Sequence, residues 1–277
     1  MADIGKYNDL RVVKLVSIGC YLDGGEHGEI LIPRRYVPEG TKEDDVLNVF
    51  IYFDSEDRII ATTETPKITL GEIGSLKAVS VTSSGAFLDW GLTKDIFVPF
   101  KEQQQKMEAG KWYIVGLYID HETNRLAASA KIDKFLDNTP PTYEVGEEVD
   151  LLIYNKTDLG YSAIVNNAHW GVLYENEVFR HLSKGKRITG YIKKIREDEK
   201  IDLILQKPGY EKIDDISKVL IDKLEKNNGF IKLTDKSNPE EIYDLLGISK
   251  KVFKKAIGSL YKARLITLEK DGIKLVD

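Results

Sequence analysis

The feature that most constrains this chain is an internal repeat, because three stretches carry one order of elements. Each has a β-rich opening run, a glycine that starts a second strand, a short apolar third strand, an irregular link and a closing hairpin. In the first stretch residues 10–16 open, Gly19-Cys20-Tyr21-Leu22-Asp23 follows, and 28–33, 46–54 and 58–63 complete the set. The second runs through 74–81, Gly85-Ala86-Phe87-Leu88-Asp89, 95–99, 112–120 and 125–129. The third runs through 146–150, Gly160-Tyr161-Ser162-Ala163-Ile164-Val165, 171–174, 188–195 and 200–205. Alternation with β-branched residues marks strands, and short charged links mark hairpins. Five strands in about 60 residues fit a small closed barrel, for which the OB-fold is the common solution because closure removes edges. A generic array of β-barrels is the alternative. Prolines at Pro66 and Pro140-Pro141 place boundaries between the copies.

Beyond about Lys212 the period changes. Ile213, Ile216, Val219, Leu220 and Leu224 recur at helical spacing and stop at Asn227-Asn228-Gly229. Asn238-Pro239-Glu240-Glu241 supplies an N-cap, a proline at the first helical position and a glutamate three residues after the cap. The helix it starts carries Ile242, Leu245 and Leu246 and ends at Gly247. Ser249 caps a third helix, in which Val252, Phe253, Ile257, Leu260 and Tyr261 are available to a core. A hairpin over 265–276 closes the pattern, which is that of a winged helix. The predicted architecture is multidomain β plus α: five-stranded OB-fold barrels over 1–65, 66–138 and 139–210, then a winged helix over 211–277.

The net charge of −5 conceals an asymmetry. Residues 1–177 hold 17 Lys/Arg against 29 Asp/Glu, and residues 178–277 hold 23 against 16. A polyanion is therefore steered to the C-terminal third, although lysine-rich solvated helices give the same count. No apolar run approaches the roughly 20 residues of a membrane helix. The N-terminus lacks an export pattern, and the lone Cys20 forms no intrachain disulfide, so a cytoplasmic location is expected.

Ser83-Ser84-Gly85-Ala86-Phe87-Leu88-Asp89, followed by Asp95-Ile96-Phe97-Val98-Pro99, resembles the RNA-binding S1 domain, an OB-fold module. Its closing hairpin is echoed by Tyr118-Ile119-Asp120 with Arg125-Leu126-Ala127-Ala128-Ser129. Three such repeats and a winged helix resemble the bacterial conserved virulence factor B family along essentially the whole chain. The resemblance implies binding of single-stranded RNA on the face of the second and third strands, with aromatics stacking on bases, and a regulatory role in gene expression.

Alternation tests the site independently. Phe87 shares a face with Asp89, and Phe97 with Asp95, away from Ala86, Leu88, Ile96 and Val98. These aromatics are placed outside the barrel, where they suit base stacking or packing against a neighbouring domain. Arg125 joins them in the second copy. The first copy is the poorer binder: Tyr21 matches Phe87, but Leu31 replaces Phe97, Ile18 stands at the family's first aromatic, and Asp23, Glu26 and Glu29 repel phosphate. In the third copy Ser162 takes the stacking position. Tyr161, His169, Trp170 and Tyr174 are interleaved there with Lys156, Arg187, Lys193 and Lys194, a combination suited to RNA, although Trp170 alone reads better as core. The third helix of the winged helix adds Lys250, Lys251, Lys254, Lys255, Lys262 and Arg264 to face phosphates.

No catalytic residue, metal or cofactor is predicted. His27, His121, His169 and His181 are scattered, and no phosphate-binding glycine loop or acid–base spacing stands out. A metal-dependent nuclease built from dispersed acids is the remaining enzymatic alternative. The competing binding reading is a DNA-binding transcription factor, or a protein-interaction scaffold, that uses the winged helix.

Overall fold

The protein is described from a computed structural model covering residues 2–175, 178, 182–205 and 215–276. His181, Ile213, the side chain of Ile216 and the expected boundary at 210/211 lie outside the described residues. Two compact units are present. One comprises Met1–Tyr143, Val149–Thr189 and Ile195–Asp202; the other comprises Glu144–Glu148, Gly190–Lys194 and Leu203–Asp277.

The first copy is a closed barrel of order β1-β2-β3-β5-β4, from β1 (Tyr7–Val16), β2 (Gly19–Asp23), β3 (Glu29–Pro33), β4 (Val46–Phe53) and β5 (Ile59–Thr62). The third is a closed barrel of the same order, built from β11 (Glu148–Thr157), β12 (Gly160–Val165), β13 (His169–Tyr174), β14 (Arg187–Ile195) and β15 (Ile201–Ile204). The second uses β6 (Ile73–Val81), β7 (Gly85–Asp89), β8 (Ile96–Pro99), β9 (Trp112–Asp120) and β10 (Arg125–Ser129). Here the expectation of a closed barrel is corrected. Its strands form a five-stranded sheet, β10-β9-β6-β7-β8, whose edges β8 and β10 run side by side without a hydrogen-bonded ladder. In the first copy the matching seam is closed by a parallel pairing of Leu31 with Ile60.

Repetition extends to local irregularities. The first strand of each copy shifts register at one place: Val12/Lys14, Ala78/Ser80 and Ile153/Asn155. A bulge bends and twists a strand, so one long strand can serve two neighbours on a small curved sheet. The glycine that opens each second strand has a steric cause. A Cβ at Gly19 would lie 2.0 Å from the Ile32 carbonyl oxygen and one at Gly160 2.1 Å from that of Leu173, and both residues have positive φ, 151° and 140°.

The copies are joined by aromatic packing. Along β4, Val49 and Ile51 fill the first barrel, while Phe50 and Tyr52 point the other way into the core of the second copy. There they meet Trp90, with ring centroids 5.7 Å and 6.2 Å away. A second joint gathers Ile73, Ile114, Ile132 and Leu136 with Leu152 and Ile164, flanked by Phe135, Tyr154 and Trp170.

The C-terminal part has α1 (Asp215–Lys226), β16 (Phe230–Ile231), α2 (Pro239–Leu246), α3 (Lys250–Lys262), β17 (Ile266–Leu268) and β18 (Ile273–Leu275), with sheet order β16-β18-β17. The Asn238 backbone N–H donates to Glu241, Gly247 ends α2 in the left-handed conformation, and Ser249 caps α3. Leu220, Leu224, Ile242, Leu246, Phe253, Ile257 and Leu260 form its core. Val219, Leu245 and Tyr261, expected to join them, are exposed instead. Each follows or precedes a buried residue by one position, about 100° round the helix, and so falls off the narrow buried stripe.

Candidate nucleic-acid interface

Phe87 on β7 and Phe97 on β8 are direct cross-strand partners. Their rings pack 5.0 Å apart at an angle of 41°, half-buried on the outer face of the sheet. They line a groove of about 630 Å³ that runs over the unpaired seam between β8 and β10. Arg125, Leu126 and Ala127 of β10 form its other flank, Trp90, Lys94 and Asp95 also line it, and the first copy contributes Phe53 from the end of β4 and Ser55 and Asp57 from the β4–β5 turn.

Charge around the groove is nearly balanced, and its cations are engaged. Asp57 accepts from Arg125 at 2.7 Å and from Lys94 at 3.1 Å, while Lys101 pairs with Glu122 at 2.8 Å. The bond to Glu122 is the main cause that raises the Lys101 ammonium pKa. These pairs are substantially exposed, so each contributes little to stability and exchanges readily with another anion.

The equivalent cross-strand pair differs in each copy. In the first it is Tyr21 with Leu31, and Lys14 lies over the Tyr21 ring at 4.7 Å while bonding Glu29 at 2.5 Å. In the third it is Ser162 with Val172, which offers no ring.

The third-copy cluster expected to bind RNA is largely occupied by the joint. His169 is 6% exposed, with its ring nitrogens bonded to the Tyr143 hydroxyl and the Thr139 carbonyl. Trp170 packs edge-on to Tyr154 at 4.9 Å, and its indole N–H donates to Asp133 at 3.1 Å. Arg187 reaches Asp150, Asn167 and the Ile73 carbonyl of the second copy. These three and Tyr161 thus serve the packing of the fold: the polar atoms of His169, Trp170 and Arg187 have partners within it, and Tyr161 is buried. Tyr174 remains half-exposed, bonded to Arg196 and to Asp202, and Arg196 forks onto Asp202. Lys156 is exposed and pairs with Glu175 at 3.2 Å. Lys193 and Lys194 are both exposed on β14.

On α3 the buried stripe of Phe253, Ala256, Ile257 and Leu260 leaves Lys251, Lys254, Lys255, Tyr261 and Lys262 exposed, while Lys250 is half-buried. The helix contains no acidic residue. Lys254 approaches Asp235 at 3.9 Å; among the described residues Lys251, Lys255 and Lys262 have no ion pair. Arg264 is exposed just beyond the helix, in the left-handed conformation. Trp90, Lys94, Lys101 and Asp57 were not singled out by sequence. For Asp57 no local pattern signals a role, because its partners come from a different copy.

Residues 4–64 and 70–131 match the S1 domain family, and residues 218–275 match the CvfB-like winged helix domain. Conserved virulence factor B of Staphylococcus epidermidis strain ATCC 12228 is 26% identical over 98% of this chain and 94% of its own. The protein YitL of Bacillus subtilis strain 168 is 26% identical over 93% of this chain and 89% of its own. A crystal structure of a multidomain protein with nucleic acid binding domains from Streptococcus pneumoniae covers 99% of this chain and 98% of its own, at 22% identity and a TM-score of 0.45. The chain carries S1 domains and a CvfB-like winged helix domain, and along nearly its whole length it is a homologue of proteins named Conserved virulence factor B.

Proposed function

We propose that the protein binds single-stranded RNA and regulates gene expression after transcription, in the cytoplasm. The observation that carries this reading is the groove over the β8–β10 seam, floored by the Phe87–Phe97 pair. Base–aromatic stacking requires a base freed from pairing, and a half-buried ring pair in an open groove supplies the platform. Phosphates are met by Arg125 and Lys101 at the groove and, in the C-terminal unit, by the lysine face of α3. Lys156, Tyr174, Lys193 and Lys194 are the third-copy residues that remain in this proposal. The S1 family match over the second copy supports it.

Binding to single-stranded RNA and to duplex DNA of matched length, measured across a salt series, tests the proposal. RNA is expected to bind more tightly; tighter binding to the duplex overturns the reading in favour of DNA recognition by the winged helix. Replacing Lys254 and Lys255 by Glu is expected to weaken RNA binding and make its salt dependence shallower, because fewer counterions are released.

A further inference from the structure

Asp95 immediately precedes β8, two residues before Phe97, and both line the groove. The other groove carboxylates are engaged: Asp57 by Lys94 and Arg125, Asp120 and Glu122 by Lys101. Nearby Asp89 is held by Lys67 at 2.6 Å. Asp95 is half-buried and, among the described residues, makes no side-chain hydrogen bond or ion pair. Burial, and then the charge of Asp89, push its carboxyl pKa up. Among the described residues only the charge of Lys67 works against that cost, and no hydrogen bond or ion pair does, which is the signature of a group kept for a ligand.

The segment bearing Asp95 is fixed beforehand. The Trp90 indole N–H donates to the Lys94 carbonyl at 2.5 Å, and the Lys94 ammonium donates to the Asp54 carbonyl at 2.5 Å. Trp90 is itself buried between the two copies. An ionised carboxylate held in this way is a pure acceptor with two oxygens side by side. Among the four RNA bases, guanine alone presents two adjacent donors, N1–H and the N2 amine, on its Watson–Crick edge. Uracil offers one donor there, and cytosine and adenine each set an acceptor beside the amine, which repels the second oxygen.

We infer that the groove of the second copy selects guanine in single-stranded RNA, the base stacking on Phe87 and Phe97 while the Asp95 carboxylate accepts from its N1–H and N2 amine. This rests on the RNA-binding reading above and adds the base class. The stack holds the base plane and the carboxylate reads the edge, so selectivity and general affinity reside in different residues.

The experiment measures binding of the full chain to uridine dodecamers carrying one central guanosine, inosine, adenosine or cytidine. Inosine keeps N1–H and lacks the N2 amine. Guanosine is expected to bind roughly tenfold tighter than inosine, the size of one hydrogen bond to a charged acceptor. Asp95→Asn is expected to lose that discrimination and to bind the all-uridine oligomer no more weakly than the native chain does, with a melting temperature no lower than that of the native chain. Equal binding of guanosine and inosine by the native chain, or discrimination retained in Asp95→Asn, overturns the guanine assignment and leaves RNA binding standing. Binding to none of the oligomers overturns both.

Discussion

The second and third copies share strand order and the position of the bulge, yet they use their aromatic residues in opposite ways. In the second, Phe87 and Phe97 stack on each other over an open seam and face the groove. In the third, the equivalent pair is Ser162 with Val172, and the conspicuous rings, Trp170 and Tyr154, lie in the joint to the second copy. One strand framework thus leaves the outer ring pair facing an open groove in one copy and packs the outer rings into a joint in the other. An aromatic residue on the outer face of such a sheet is only a candidate. Its role is decided by what lies against it.

The largest expected effect tests the joint. Trp170→Ala removes a half-buried ring and its bond to Asp133 and is expected to destabilise the protein by about 2–4 kcal/mol, read from a denaturant melt. RNA affinity of the folded fraction should change little. A large loss of affinity at unchanged stability would return Trp170 to the binding face.

Phe87→Ala tests the other side of the contrast. Loss of one stacking partner is expected to weaken RNA binding about tenfold, with the salt slope unchanged because no phosphate contact is removed. Ser162→Ala, at the matching place in the third copy, should leave affinity as it was; an equal loss in both variants would erase the distinction.

Asp57→Asn sharpens the comparison with the first copy, whose β4–β5 turn supplies this carboxylate. Freed from Asp57, Arg125 and Lys94 are expected to bind RNA about two- to fivefold more tightly, with a steeper salt slope as further phosphates are neutralised. Unchanged affinity and slope would place the path of the RNA backbone away from both cations.

The smallest effect concerns acid stability beside the groove. The side-chain hydrogen bond from Lys67 holds the Asp89 carboxyl below the usual carboxylate range. A carboxylate with a lowered folded pKa contributes stability above its unfolded value and loses it as the pH falls through the folded one. Lys67→Met is therefore expected to lower stability at neutral pH by less than about 1 kcal/mol, given the exposure of both groups. The difference from the native chain should vanish in acid, where both carry a protonated Asp89. A difference that persists there would assign the effect to packing of the lysine stem.

Much of this is legible in the sequence because it is local. The glycine at the start of each second strand marks where backbones approach too closely for a Cβ, as at Gly19 and Gly160. Alternation puts Phe87 and Phe97 on the outer face, and the spacing of Phe253, Ile257 and Leu260 leaves the α3 lysines on the opposite side. These follow from the fixed geometry of strands and helices. The run of residues in β4 also reads as a strand, but the division of its two faces between two cores does not.

Only tertiary structure decides the rest. That β8 and β10 lie together without pairing, leaving a groove where the other two copies close, depends on relations between strands that no local pattern records. The capture of Arg125 and Lys94 by Asp57, and of His169, Trp170 and Arg187 by the joint, depends on which surfaces the three copies present to one another. Sequence fixes which way a side chain points from its own backbone; what waits there, solvent or another side chain, is set by long-range packing.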